Sequence, residues 1–294
     1  MQKKAPTADE FAAHRHTTAG ISYTDIGSGP VTLFVHGVFT NGNLWRHCVQ
    51  QLSSERRCIS IDLPGHGHTP PLGEPSVWGL ADAIGDMIKE LDIRDIQLVG
   101  NDTGGAICQI LVTRWPERFA SLALTNCDTE GNFPPPAFRP AVWLAQVNLL
   151  RFGAWMARHP RIAKNIYRSG YQKVTAVPDA ILESYLKPVF GDRKNLQFVT
   201  ALLASMHPAL LAPIHEQLAA CTVPTKIIWG TGDIFFHRKW ADWLLHLIPG
   251  ATQIIEIPHA RLFFPDERAA ELVEVLRLPV GQAHKKTRQS SHAR

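Results

Sequence analysis

The sequence predicts an α/β protein: an eight-stranded, mostly parallel sheet covered by helices, with a purely helical block inserted late in the chain. Two observations predict it. Short, continuously apolar segments alternate with stretches of helical periodicity, as expected of strands buried on both faces by crossover helices. That alternation stops after Asn126, gives way to helical patterns alone over residues 127–220, and resumes at Thr225.

The elements follow in order. Residues 1–10 carry no apolar run and read as a loose leader. Residues 14–18 and 21–26, joined by Ala19-Gly20, form an antiparallel pair closed by the turn Gly27-Ser28-Gly29-Pro30. Val31-Thr32-Leu33-Phe34-Val35 is a buried strand ending in His36-Gly37, and residues 43–52 follow as a helix. Cys58-Ile59-Ser60-Ile61-Asp62-Leu63 is the next strand and residues 77–91 the next helix. Ile96-Gln97-Leu98-Val99-Gly100 runs into Asn101-Asp102-Thr103-Gly104-Gly105, after which Ile107, Ile110, Leu111 and Trp115 fall at helical spacing. Ser121-Leu122-Ala123-Leu124-Thr125-Asn126 is a further strand. Phe133-Pro134-Pro135-Pro136 opens the inserted block, with amphipathic stretches near 141–157, 162–171, 178–186 and 195–206. The final strands are residues 225–230 and 252–257, with a helix at about 239–247 between them. An insert at this place caps the C-terminal ends of the strands, where open α/β sheets hold their ligands. The division is a core of residues 11–126 and 221–278, a helical cap of 127–220, and a basic disordered tail of 279–294.

Composition narrows the function. Of 294 residues 45% are hydrophobic and 19% charged, enough apolar material for one large core. The net charge of +4 is concentrated in Lys285, Lys286, Arg288 and Arg294 of the tail; without them basic and acidic residues are equal in number. The body therefore offers no nucleic-acid surface. Cys48, Cys58, Cys108, Cys127 and Cys221 show no paired spacing and read as reduced core thiols, which points to the cytoplasm. No apolar run reaches membrane-spanning length, so no membrane partner is expected. No metal-ligand spacing appears, and the glycine turns at Gly37/Gly42 and Gly65/Gly67 lack a phosphate-loop lysine; no metal and no cofactor are expected.

The candidate chemistry centres on Asp102. It lies at the apex of a strand–turn–helix between Gly100 and Gly104, the spacing of a G-x-nucleophile-x-G elbow with Asp in place of Ser. Small flanking residues suit a strained turn whose backbone crowds the next strand, and a helix N-terminus behind it favours an anion. An Asp capping an ordinary helix is the plainer alternative.

Four motifs in order then point to a family. Phe34-Val35-His36-Gly37, the D-L-P-G-H-G-H-T run of residues 62–69, Gly100-Asn101-Asp102-Thr103-Gly104-Gly105 and Trp229-Gly230-Thr231-Gly232-Asp233 together resemble the α/β-hydrolase superfamily over roughly residues 11–278. The Asp elbow and the helical insert resemble its haloalkane dehalogenase and epoxide hydrolase branch. The resemblance implies that the Asp102 carboxylate attacks an sp3 carbon and leaves an ester, later hydrolysed with the help of a base, an acid and an oxyanion hole. It implies backbone N–H groups of Val38 and Thr103 for that hole, Asp233 for the acid, and Asp128 as the reserve acid. For the base the sequence departs from the pattern. In Ile257-Pro258-His259-Ala260-Arg261-Leu262-Phe263, Leu262 occupies the catalytic histidine position, and His259, three residues earlier, is the candidate replacement or a plain loop histidine. His36 is expected to bond backbone in the His-Gly turn. Thr103 and Val38 stand where dehalogenases carry halide-binding Trp and Asn. Epoxide chemistry would take a proton from a cap tyrosine: Tyr167, Tyr171 or Tyr185. Phe39, Trp143 and Leu262 are expected to line the substrate pocket, with Trp155 a further candidate; any of these aromatics can instead be packing.

The expectation is a cofactor-free hydrolase acting on a small hydrophobic epoxide or organohalide, monomeric or homodimeric, with epoxide ahead because the halide-binding residues are absent. Two alternatives stay open: a non-hydrolytic lyase, isomerase or cyclase using Asp102 as a general base, and a catalytically silent protein that binds a small apolar ligand or a partner.

Overall fold

The computed structural model describes residues 6–152 and 159–281; Trp155 and the four basic residues of the expected tail lie outside that range. Eight strands build one sheet: β1 Arg15–Thr18, β2 Ile21–Ile26, β3 Val31–Val35, β4 Arg57–Ile61, β5 Ile96–Asp102, β6 Phe119–Cys127, β7 Thr225–Gly230 and β8 Ala251–Ile257. Their order is β1-β2-β4-β3-β5-β6-β7-β8. Only the β1/β2 and β2/β4 pairings are antiparallel; the rest are parallel. The parallel strands are inaccessible on both faces, as their unbroken apolar runs require: Leu33, Phe34 and Val35 of β3, Leu98 and Val99 of β5, and Ile227 and Ile228 of β7 are fully buried.

Some of the helices begin where the sequence supplies caps. The leader is partly ordered: α1 (Ala8–Ala12) is held by a capping box in which Thr7 and Glu10 bond each other's backbone N–H, and Phe11 inserts into the core. That Thr-x-x-Glu signal is present in the sequence and contradicts a loose leader. The predicted helix at 43–52 divides into a 3-10 turn, Gly42–Trp45, and α2, Arg46–Leu52. Ser76 caps α3 (Val77–Glu90) through its hydroxyl. Helix α4 (Thr103–Arg114) starts on the residue after β5 ends, three residues earlier than the periodicity predicts.

The cap contains α5 (Arg139–Gln146), α6 (Pro160–Tyr167), α7 (Asp179–Gly191) and α8 (Arg193–Ala204). Helix α5 stops well short of the predicted 157, and Asn148 just beyond it takes a left-handed φ of 57°. Helix α7 runs past the predicted 186 and through Pro188, whose carbonyl accepts from Asn195 Nδ2 at 3.0 Å. Helices α5 and α7 both pack on α8, and α6 packs on α7. No single helix among the described residues is long and apolar enough to cross a membrane. After the cap come α9 (His215–Ala219), α10 (Arg238–Leu247), α11 (Phe264–Glu267) and α12 (Ala269–Arg277).

Polar contacts seat the cap on the core. Asn41 Nδ2 and Asn43 Nδ2 donate to the carbonyl and hydroxyl of Ser184, at 2.8 and 3.0 Å. Phe263 N–H donates to Gly170 O at 2.8 Å. Beneath them Arg46 of α2 and Asp266 of α11 form an ion pair at 2.8 Å with both side chains under 5% exposed. Tyr171 of the cap donates to the same carboxylate at 3.0 Å, and His47 approaches it at 3.3 Å. Removing one member of such a pair strands a buried charge. Asp266→Ala is expected to cost about 3–5 kcal/mol in urea unfolding, much of it recovered in the apolar pair Arg46→Met/Asp266→Leu. A loss under about 1 kcal/mol would show that the pair is not holding the cap.

Candidate active site

Asp102 is the last residue of β5 and adopts φ 56°, ψ −133°, a conformation that L-residues rarely hold. Such strain is of order 1–3 kcal/mol and persists only where the surroundings over-determine it. They do so here. A Cβ on Gly104 would sit 2.3 Å from the Val35 carbonyl oxygen of β3, and one on Gly37 only 2.2 Å from Asp102 Oδ2. Glycine is what lets α4 and the His36-Gly37 turn close on the elbow. The backbone N–H groups of Thr103 and Val38 face the Asp102 carboxylate and favour its ionised form. The pair assigned to an oxyanion hole therefore converges on the elbow.

The His36-Gly37 turn is fixed by its histidine. His36 is fully buried, accepts from Leu63 N–H through Nε2 at 2.9 Å and donates through Nδ1 to Gly37 O at 2.7 Å. Burial lowers its pKa to about 4, so it is a neutral structural ring. Phe39 follows with φ 59°, and its ring lies 6.2 Å from Phe138 and 5.7 Å from Phe190 of the cap, ring centre to centre.

Three carboxylates meet around the elbow. Asp128, one residue past β6, is 1% exposed; its Oδ2 accepts the Thr103 hydroxyl at 3.0 Å while its Oδ1 has no partner. Its N–H also donates to the Asp102 carbonyl at 3.3 Å. Asp233, in the loop after β7, is 6% exposed and accepts from Asn126 Nδ2 at 2.8 Å and Phe235 N–H at 2.8 Å. Burial, then the charge of Asp233, raises Asp102 to about 8; burial raises Asp233 to about 6 despite its three N–H donors and the charge of Arg261. Asp128 is pushed well up by burial and by Asp102. Asp102 is the most accessible of the three.

The base expected at His259 is not brought to this cluster. His259 sits in an exposed turn with φ 60°, its N–H bonded to Thr231 Oγ1 at 2.9 Å and its carbonyl accepting from Gln172. No bond of its ring to Asp102 or Asp233 occurs among the described residues. The turn is fixed through its backbone, because Gly232 packs directly against the His259 carbonyl. Leu262 is buried, with its carbonyl held by Asn101 Nδ2 at 3.1 Å.

The cap residues also divide. Tyr167 donates to the Phe39 carbonyl, beside the elbow. Tyr171 and Tyr185 are fully buried and turned away: their hydroxyls face one another at 3.4 Å, Tyr171 bonds Asp266 and Tyr185 bonds Arg46. The buried ion pair claims the two hydroxyls expected to protonate an oxirane. Trp143 does not line a pocket; it is 57% exposed, while Val142 and Ala145 of the same helix face inward. A cleft of about 1230 Å³ opens beside His47, Gln172, Lys173 and Arg268, and Asp102 is not among its lining residues.

Asn126 and Asn101 were missed as site residues. Asn126 holds Asp233 and the Gly230 backbone on β7, and Asn101 holds Thr125 and Leu262. The signal was available: amides at the C-terminal ends of buried strands have no apolar reason to be there.

Comparisons with known proteins agree with the fold. The profile of the family described as alpha/beta hydrolase fold matches residues 30–267. Haloalkane dehalogenase 2 of Mycobacterium tuberculosis is 26% identical over 275 residues, covering 86% of this chain and 90% of its own. Epoxide hydrolase 4 of Mus musculus is 24% identical over 261 residues, covering 76% and 66%. An alpha/beta hydrolase fold protein from Burkholderia ambifaria superposes with a TM-score of 0.77 at 19% identity, covering 93% and 99%; this likeness speaks to the fold.

The raised carboxyls set the sign of the pH dependence. Natively they keep protons that the unfolded chain releases near pH 4, so stability falls as pH rises from about 4 to 8. Asp102→Asn removes one such group and is expected to raise Tm by roughly 2–4 °C at pH 9 and far less at pH 5. Equal shifts at both pH values would show that Asp102 ionises normally.

Proposed function

The chain belongs to the alpha/beta hydrolase fold family, and on that premise we propose a hydrolase in which the Asp102 carboxylate is the nucleophile toward a small hydrophobic epoxide or organohalide. The observation that carries this is the strained Asp102 elbow with its carboxylate facing the N–H groups of Val38 and Thr103. The names of the relatives, haloalkane dehalogenase and epoxide hydrolase, support the substrate class.

In this mechanism an Asp102 oxygen attacks the electrophilic carbon as the carbon–halogen or ring carbon–oxygen bond breaks, leaving an ester. With an epoxide, the departing alkoxide takes a proton from Tyr167, the cap tyrosine whose hydroxyl reaches the Phe39 carbonyl. Water then adds to the ester carbonyl, and the two N–H groups hold the oxyanion. The proton of that water goes to Asp233, whose pKa of about 6 leaves it ionised yet basic at neutral pH. A carboxylate thus takes the part that histidine plays where the chain has Leu262. Collapse expels the alkoxide, which takes the proton held by Asp233, and leaves one solvent oxygen in Asp102; the acid proton remaining on Asp102 returns to Tyr167 after an epoxide, or goes to solvent after a halide.

One observation favours a second reading. Burial holds a proton on Asp102 near neutral pH while Asp233, at about 6, is ionised there, and no histidine side chain reaches either among the described residues. That is an acid–base pair suited to a lyase or isomerase, in which no ester forms.

Turnover of epoxides and haloalkanes in heavy-oxygen water, followed by mass spectrometry of the Asp102 peptide, separates the readings. The hydrolase is expected to place solvent oxygen in Asp102, and Asp233→Asn to trap the alkyl ester. Product formation with an unlabelled Asp102 would sink the nucleophilic reading and leave the acid–base one.

A further inference from the structure

Four of the five large apolar side chains that the described chain exposes lie in one segment of the cap: Trp143 at 57%, Val147 at 43%, Phe152 at 64% and Ile166 at 44%. Helix α5 needs none of them for its own packing, since Val142 and Ala145 already meet α8. The same segment is one-sided in charge. Residues 131–178 contain seven lysines and arginines and no aspartate or glutamate, in a chain whose other described parts mix both signs.

The placement of these cations has no internal explanation. Arg139 is the first residue of α5 and Arg161 the second of α6. A cation there opposes the helix dipole, so each costs its helix some stability. Arg139, Arg151, Arg161 and Arg168 are exposed and form no salt bridge among the described residues, whereas Lys164 is taken up by Asp179 at 2.7 Å. Arg151 lies 5.3 Å over the exposed Phe152 ring, a cation and an aromatic presented together.

We propose that the cap face around Trp143, Val147 and Phe152, with Arg139 and Arg151, docks on an anionic lipid bilayer. Exposed Trp and Phe enter the headgroup region while arginines meet lipid phosphates, the chemistry of an interfacial rather than a spanning contact. This departs from the expectation of no membrane partner, which rested on the lack of a spanning segment. The face also adjoins the site, because Phe138, immediately before α5, contacts Phe39 beside Val38. An apolar molecule dissolved in the bilayer would thereby be delivered next to Asp102. The docking itself does not depend on which reaction Asp102 performs.

The test is flotation of the full-length protein with two kinds of vesicle, phosphatidylcholine alone and phosphatidylcholine with about 30% phosphatidylserine. Binding is expected only to the second, and to be lost in about 0.5 M salt. Arg139→Gln/Arg151→Gln should weaken it about fivefold per arginine, and Trp143→Ala/Phe152→Ala about tenfold or more, with Tm unchanged because all four are exposed. A Lys285→Gln/Lys286→Gln/Arg288→Gln variant, which removes the terminal basic cluster, should bind nearly as wild type. The proposal is overturned by absence of binding to either vesicle. It is equally overturned if the terminal variant abolishes binding while the cap variants retain it. Sedimentation showing a dimer that Trp143→Ala/Phe152→Ala dissociates would overturn it too, by assigning the face to a second copy of the chain.

Discussion

The constraint on which the site depends is the burial of three carboxylates around one turn, with little positive charge to set against them beyond that of Arg261 at Asp233. Asp128 and Asp233 are almost inaccessible, and Asp102, partly exposed, acts electrostatically with both. Desolvation and mutual repulsion both favour protonation, so the cluster is stable as a whole only with fewer than three charges. Backbone and amide donors from Val38, Thr103, Phe235 and Asn126 recover part of the cost. The distribution of the remaining protons is what a bound ligand alters.

A second buried charge network solves the opposite problem. Arg46 and Asp266 neutralise one another, and the surplus lone pairs and donors of the pair are met by Tyr171, Tyr185 and His47. Because Tyr171 belongs to the cap and the ion pair to the core, saturating these groups also fixes the position of one side of the cap. Burial lowers His47 to about 4, which keeps it neutral beside Arg46 and spares the network a second cation. The two networks differ in purpose: one is left short of partners where a ligand arrives, the other is saturated where the fold is joined.

Much of this was legible in the sequence for a simple reason. Parallel strands buried on both faces leave unbroken apolar runs, so all eight strands fall close to their predicted places. The elbow was legible because close backbone approach demands glycine on both sides of Asp102. The ends of the cap helices were less so: no residue type forced α5 to stop before Asn148 or α7 to continue through Pro188. The tyrosines defeated sequence reasoning because Tyr171 and Asp266 are 95 positions apart, and nothing local shows that a hydroxyl is already spoken for. His259 could be read from sequence either as a base or as a loop histidine, because backbone bonds to Thr231 and Gln172, invisible locally, decide where the loop runs.

The absence of any connecting residue between β5 and α4 reaches further than geometry. Asp102 cannot be re-aimed without dragging a twelve-residue helix and a central strand with it. Variation that alters substrate range therefore has to accumulate elsewhere, in the Phe39–Phe138–Phe190 contact and the cap helices behind it. The elbow, its strand and its helix thus move as one piece, and the freedom to change shape lies in the helices packed over them.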